Sequence, residues 1–228
     1  MFHGSPRLFV CLHFVPRSGS NLLADLMRQT ERMGFPLEYF SPANLADLSA
    51  RIPGLSLSSL GPLFERRTSP NGVFAFKWNS DFEGLAAEAE AARAFAPKAN
   101  IFIDRRDRDA QARSYLVAGR TGIWARQNGV RYEVREPDLS ARELREAKTR
   151  LAELRARTWA IAEVDGGQVL RVFAEDLFQQ PARVLGDVMR FCGIATEGLV
   201  LPDRSMYTSS SAGAATRGLG GSVPRVDA

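Results

Sequence analysis

The feature that most constrains the fold is an alternation of short apolar runs with helical patterns. Apolar runs of strand length lie at 8–15, 72–78, 100–105 and 168–174 of the 228 residues. Helical spacing or a helix-start signal follows each run. Strands that alternate with helices favour a parallel sheet covered on both faces. The sequence therefore predicts an α/β fold, a single domain with a central parallel sheet flanked by helices.

The helical segments are marked by apolar spacing and by their first residues. Helices are expected at 20–33, 43–50, 57–66, 107–120 and after Pro181. Ser80 with Glu83, and Ser140 with Glu143, have the spacing of capping boxes, so we expect helices to begin there as well.

The last residues differ in composition from the rest. We place the domain at 1–204 and a Ser/Gly/Ala-rich tail at 205–228, which is either flexible or a lid over a ligand.

Charge and composition exclude several classes of function. The net charge of +4 comes mostly from arginine, which suits phosphate-like ligands. No basic run interleaved with aromatic residues indicates nucleic acid, and no apolar run is long enough for a membrane span. Two cysteines and two histidines give no metal-ligand spacing, so no metal is expected. No secretory signal is recognised, so the expected location is the cytoplasm.

The first strand is followed by Pro-Arg-Ser-Gly-Ser-Asn at 16–21. In open parallel sheets, ligands bind at the carboxyl ends of the strands. Gly19 allows a tight turn, the first amides of the next helix form an anion nest, and Arg17 adds a fixed charge. The loop lacks the second glycine and the lysine of a Walker motif. It predicts a site for one phosphate-like group; the alternative is an ordinary turn capped by serine.

The third strand is followed by Arg105 and Arg106, and Ser114 comes eight residues after Arg106. An arginine at a strand end and a serine two turns along the next helix can converge on a second phosphate. The alternative is a solvated cluster of charges.

These pieces together resemble a known family. The PRSGS loop, the Arg-x7-Ser spacing and the late segment VFAEDLFQQPARVLGDVMRFCGI resemble sulfotransferases that use 3′-phosphoadenosine 5′-phosphosulfate (PAPS). GFPLEYF at 34–40 and the segment 105–124 look like the bacterial trehalose 2-sulfotransferase-like branch. The resemblance implies a P-loop-like sulfotransferase fold, PAPS as co-substrate, release of adenosine 3′,5′-bisphosphate, no metal and a homodimer.

The resemblance also implies donor-binding residues. The first loop is expected to bind the 5′-phosphosulfate, and the later arginine–serine pair is expected to bind the 3′-phosphate. A late basic glycine loop is expected to close over the donor. Arg105 is open as an alternative to Arg106. The residues so assigned are Arg17, Ser18, Gly19, Ser20, Asn21, Arg105, Arg106, Ser114, Arg217 and Gly218.

Catalysis is assigned to three residues. Glu38, by resemblance, is the general base that takes the proton of the acceptor hydroxyl. Lys77, at the end of the second strand, neutralises charge on the transferring group, together with Arg17. The acceptor is expected to contact Glu38, Tyr39, Phe40 and Trp124, and the adenine site is open as an alternative place for Trp124. The alternatives are a loop glutamate, a strand-end lysine in solvent and a core tryptophan.

The expected function is therefore transfer of a sulfuryl group from PAPS to a hydroxyl of a sugar, a glycolipid or another small-molecule acceptor. One alternative is a catalytically silent nucleotide-binding protein of the same fold. The other is a small-molecule kinase, which the missing Walker lysine and Mg²⁺ pattern disfavour.

Overall fold

The structure is a computed structural model that describes residues 5–78, 80, 95, 98–127, 130, 132, 137–164 and 168–207. The strands within these ranges are β1 (Leu8–Phe14), β2 (Val73–Trp78), β3 (Lys98–Asp104) and β4 (Val169–Phe173). The helices are α1 (Ser20–Gln29), α2 (Pro42–Arg51), α3 (Gly61–Arg67), α4 (Arg108–Thr121), α5 (Ala141–Val164), α6 (Ala174–Gln179) and α7 (Pro181–Phe191).

The strands form one parallel sheet in the order β2-β1-β3-β4. Residues of β1 alternate between the two faces. Val10 and Leu12 join a core cluster with α1 and α7, whereas Phe9 and Cys11 join an aromatic cluster with the segment around Tyr39 and with α3. Helices α4 and α5 cover this second face at β3. The predicted α/β architecture, a parallel sheet flanked by helices, is confirmed.

The order of the strands creates a topological switch point. The chain passes from β1 outward to β2 and then returns across β1 to β3 and β4. The connections that leave β1 and β3 therefore diverge, which opens a crevice between the carboxyl ends of these two neighbouring strands. Such crevices are the usual ligand sites of open parallel sheets.

Helix boundaries mostly follow the sequence signals. The amide of Ser140 donates to Glu143 and the amide of Glu143 donates to the Ser140 hydroxyl, which is the predicted capping box. The short helix α6, which starts directly at the end of β4, has no counterpart in our sequence prediction. The helix predicted from Ser80 lies outside the described residues, apart from Ser80 itself.

The loop after α1 lies directly against β2. Gly34 has a φ of +70°, and a Cβ there would lie 2.8 Å from the amide nitrogen of Ala75, so only glycine fits. Beyond it, Leu37 forms a parallel bridge with Phe76, and the Lys77 amide donates to the Leu37 carbonyl at 2.8 Å. This pairing fixes the following residue, Glu38, beside the carboxyl end of β2.

Two further findings concern the described residues only. None of their helices combines the length and the apolar character required to cross a membrane. Cys11 and Cys192 are both free thiols.

Candidate active site

The loop between β1 and α1 has an unusual backbone. Arg17 has a φ of +66° and Gly19 a φ of +85°. For a residue with a side chain, the left-handed region costs about 1–2 kcal/mol, and such strain persists where the surroundings enforce it. Helix α1 begins at Ser20, directly after the turn, so its first amides lack acceptors within the helix and face the carboxyl end of the sheet.

The hydroxyl of Ser18 has no hydrogen-bond partner among the described residues, although the side chain is fully buried. A buried polar atom without a partner is costly and calls for an explanation. An anion bound in the loop would accept from this hydroxyl. The predicted phosphate loop therefore fits such a group.

Arg17 links the loop to α4. Its Nε donates to the Ser114 hydroxyl at 2.8 Å, and its Nη1 donates to the carbonyl of Trp124. Burial lowers the pKa of Arg17 to about 10, with repulsion from Arg105 and Arg126 adding to the effect. Positive charge thus gathers around Ser114. Arg126 was not anticipated, since nothing in the sequence around it distinguishes it from other surface arginines.

Arg105 and Arg106 turn to different surroundings. Arg105 is buried, with 5% of its surface exposed, and is close enough to repel the charge of Arg17. Arg106 is half exposed and makes two hydrogen bonds of 2.7 Å to the carboxylate of Asp176, with its guanidinium 3.9 Å from the centre of the Phe173 ring. The structure thus brings Arg105 towards Arg17 and pairs Arg106 with Asp176.

A buried lysine lies on the other side of the loop. The ammonium of Lys77 donates to Oε1 of Glu38 at 2.7 Å and to Oδ1 of Asn21 at 2.5 Å. It also lies 4.7 Å from the centre of the Phe14 ring. Burial lowers the pKa of Lys77, and the attraction of Glu38 only partly offsets this. The three side chains that we assigned to catalysis and to the loop are therefore in direct contact.

Glu38 is held by its own backbone and by buried neighbours. Its carbonyl accepts from Asn44 and from the amide of Ser41, while about a third of its side chain stays exposed. Tyr39 and Phe40, which we predicted to contact the acceptor, lie instead inside the aromatic cluster, 1% and 0% exposed. Their rings anchor the segment, so Glu38 is the predicted side chain here that reaches the sheet edge.

One other predicted residue lies further out. Trp124 is half exposed, and its ring packs edge-on against Tyr115 at 5.9 Å, on the surface next to Arg17. Arg217 and Gly218 lie outside the described residues. The chain before them is held on α1, because the Ser205 hydroxyl and the Met206 amide both donate to Asp25 at 2.8 Å.

A carboxylate at the end of β3 gathers three arginines, and sequence reasoning missed it. Asp104 is fully buried and accepts from Arg108 at 2.6 Å, Arg155 at 2.9 Å and Arg171 at 2.5 Å. Burial alone would raise the pKa of Asp104, but these hydrogen bonds reverse the effect and hold it well below its usual range. The charge therefore persists at neutral pH and fixes the backbone from which Arg105 extends.

The fold and the site define an α/β protein with a loop at a topological switch point, a buried serine hydroxyl in that loop, and a carboxylate–lysine pair beside it. Among the described residues, no group of three or more potential metal ligands occurs. No family model and no curated protein sequence matches the chain.

One similar solved structure is the "Sulfotransferase Domain from the Synechococcus PCC 7002 Olefin Synthase". Its TM-score is 0.46 and its identity 18%, over 84% of this chain and 75% of that one. At this score and identity the likeness carries no weight on function, which depends on the residues described above.

Proposed function

We propose that this protein is a PAPS-dependent sulfotransferase. The observation that carries the proposal is the 2.8 Å hydrogen bond from Arg17 to Ser114, residues 97 positions apart. It joins the two elements that the sequence assigned to separate phosphate groups, at the crevice where open parallel sheets bind ligands. A donor with a 5′ anionic group and a second phosphate a short distance away matches that arrangement.

The donor's anionic groups divide between the two elements. The 5′-phosphosulfate occupies the loop, with the first amides of α1, the Ser18 hydroxyl and Asn21 as hydrogen-bond donors. The 3′-phosphate occupies the region of Ser114. Arg105 suits this second group better than Arg106, since Arg105 lies near Arg17 whereas Arg106 is already neutralised by Asp176. We therefore favour Arg105, which the sequence left open as an alternative, over Arg106.

Catalysis needs a base for the acceptor hydroxyl and positive charge at sulfur. The Glu38 carboxylate takes the hydroxyl proton as the oxygen attacks. A new oxygen–sulfur bond forms, the bond from sulfur to the bridging phosphate oxygen breaks, and adenosine 3′,5′-bisphosphate leaves with the electron pair. Lys77, next to Glu38, offsets the negative charge on the transferring group and the bridging oxygen. No metal enters this scheme.

The acceptor is a hydroxyl compound of the size of a sugar, a glycolipid or another small molecule. Glu38 at the sheet edge, the half-exposed ring of Trp124 and the partly buried ring of Tyr115 are the groups available to it. The trehalose 2-sulfotransferase-like branch and the homodimer are part of the same proposal and rest on the sequence resemblance alone. The cytoplasmic location is also part of it and rests on the lack of a recognised secretory signal.

Calorimetric titration with adenosine 3′,5′-bisphosphate tests the donor site. We expect wild type to bind it, and Ser114→Ala to weaken binding by roughly tenfold or more, the worth of a hydrogen bond to a charged group. Arg51→Ala is a control, since Arg51 is an exposed arginine on α2 whose ion pair is with the half-exposed Asp47. Absence of binding to wild type would end the proposal.

Turnover assays separate the two alternative functions. Transfer of radiolabelled sulfuryl from PAPS to a panel of sugars and glycolipids supports the enzyme. Binding of the bisphosphate without transfer to any acceptor indicates the silent nucleotide-binding protein. Phosphoryl transfer from ATP with Mg²⁺ indicates the kinase.

A further inference from the structure

Helix α4 forms hydrogen bonds with two adjacent residues of the loop at 16–21, called the phosphate loop below. Ser114 accepts from Arg17 at 2.8 Å, and Gln111 donates from Nε2 to the carbonyl of Pro16 at 2.9 Å. Gln111 and Ser114 are three positions apart on the helix and so share one face. The phosphate loop is therefore fastened at two points to the helix that follows β3.

The side-chain carbonyl of Gln111 is connected through Arg155 to the buried carboxylate of Asp104. Arg155 donates from Nη2 to Oε1 of Gln111 at 2.9 Å and from Nε to Asp104 at 2.9 Å. Arginine only donates and a carbonyl only accepts, so both ends of the Gln111 amide have one possible assignment. Gln111 and Asp104 are both fully buried, which removes competition from water.

The bond to Pro16 determines where an amide of the loop points. The peptide between Pro16 and Arg17 is planar and trans, so fixing its carbonyl towards Gln111 directs the Arg17 N–H the opposite way. Arg17 is also the non-glycine residue of this loop whose φ lies in the left-handed region. A strained conformation persists only where its surroundings enforce it, and Gln111 and Ser114 enforce it here.

We propose that Gln111 is a positioning residue that holds the phosphate loop in its anion-binding conformation and couples the loop to the end of β3. The coupling runs from Asp104 through Arg155 and Gln111 to Pro16. It rests on the proposed function insofar as the loop binds the donor's 5′ group. The geometry of the loop itself does not depend on which anion is bound.

Gln111→Glu isolates the bond to the loop. A glutamate keeps an acceptor for Arg155 but turns the donor that faces Pro16 into a second acceptor. The contacts of Arg155 with residue 111 and with Asp104 are therefore kept, and the hydrogen bond to the Pro16 carbonyl is lost. Gln111→Met, of similar length and with no hydrogen bonds, removes both contacts. Thr158→Val is the matched control: Thr158 is equally buried, on α5, and its hydroxyl bonds to Ser80, outside this relay.

The first measurement needs no ligand. Hydrogen–deuterium exchange of the peptide 16–23 should be faster in Gln111→Glu and Gln111→Met than in wild type, and unchanged in Thr158→Val. Equal exchange in all four proteins would overturn the inference, whether or not the protein binds PAPS.

The second measurement compares two nucleotides by calorimetry. Affinity for adenosine 3′,5′-bisphosphate should fall by roughly tenfold in Gln111→Glu, while affinity for adenosine 3′-monophosphate, which lacks the 5′ group, should change by less than about twofold. Equal losses for both nucleotides would mean a general structural role and would overturn the inference. If wild type binds neither nucleotide, the proposed function fails, and the exchange experiment still decides the role of Gln111.

Discussion

The ammonium of Lys77 lies 2.7 Å from the carboxylate of Glu38, and both are held at the carboxyl edge of the sheet. The same ammonium donates to Asn21 in the first turn of α1. One buried cation thus joins the end of β2, the loop after α1 and the first turn of α1. Each of the following predictions concerns one contact of this edge.

Glu38→Gln should abolish transfer without weakening donor binding. The amide keeps the size and a hydrogen-bond acceptor for Lys77 but cannot take a proton, so the rate should fall by roughly 100-fold or more. Steady-state transfer and calorimetry with adenosine 3′,5′-bisphosphate measure the two effects separately. Glu65→Gln, an exposed glutamate on α3, is the control. Unchanged turnover in Glu38→Gln would remove Glu38 from the mechanism.

Lys77→Met should lose activity and keep stability. Lys77 is 3% exposed, and burial lowers its pKa, so its charge is a cost to the folded state. Methionine fills similar volume without that cost but leaves the Glu38 carboxylate without its cation. Because about a third of the Glu38 side chain is exposed to water, we expect the free energy of unfolding to stay within about 1 kcal/mol of wild type. Transfer should fall by roughly 100-fold, as for loss of one group that stabilises developing charge.

Urea unfolding and turnover of Lys77→Met together test whether Lys77 serves catalysis or the fold. The lowered pKa also predicts a pH effect: in wild type the unfolded state binds more protons between the folded pKa of Lys77 and its unfolded value of about 10.4, so stability rises with pH across that window. Lys77→Met should lack this rise. A variant that unfolds easily yet turns over normally would mean that Lys77 serves only the fold.

Arg105→Ala and Arg106→Ala should differ sharply in donor binding. Arg105 is buried beside Arg17, so its loss should weaken binding of adenosine 3′,5′-bisphosphate by about tenfold or more. Arg106 is paired with Asp176 on the surface, and its loss should change affinity by less than about threefold. Calorimetry on the two variants measures both. The reverse order would return the 3′-phosphate to Arg106 and would require its ion pair with Asp176 to open.

The sequence predicted the sheet and the loop because both depend on local patterns. Strands buried on both faces have continuous apolar sequences. The strand LFVCLHFV and the loop PRSGSN that follows it can therefore be recognised without knowledge of any residue distant in the chain. Alternation of strands and helices then predicted a parallel sheet. It could not predict the order of the strands, and the crevice between β1 and β3 follows from that order.

Partners distant in the chain explain what the sequence could not reveal. Arg106 pairs with Asp176, 70 residues away, and Arg155 reaches Gln111 across 44. Identical arginines in one charged run take different partners, because the choice depends on which residues the fold brings near each. Tyr39 and Phe40 resembled pocket residues, yet the packing of the loop on β2 buries them.

Asp104→Asn should destabilise the protein most at neutral pH and least in acid. The pKa of Asp104 is below its usual range because Arg108, Arg171 and Arg155 outweigh the effect of burial. Its stabilising effect is therefore fully present above about pH 4, the value for an unfolded aspartate, and is lost as pH falls towards the folded pKa. At pH 7 the variant should lose about 3 kcal/mol, because the largely buried Arg155 then has no anion beside it.

Urea unfolding at pH 7, 5, 4 and 3 measures this difference. The gap between wild type and Asp104→Asn should narrow below about pH 4. There the unfolded aspartate takes up a proton while the folded carboxylate is still charged, so the charge of Asp104 stabilises wild type less. Asp187→Asn is the control, because Asp187 is a partly exposed aspartate whose ion pairs with the exposed Arg183 and Arg190 should contribute less than about 1 kcal/mol at any pH. A gap independent of pH would mean that the carboxylate's shape, and not its charge, holds the three arginines in place.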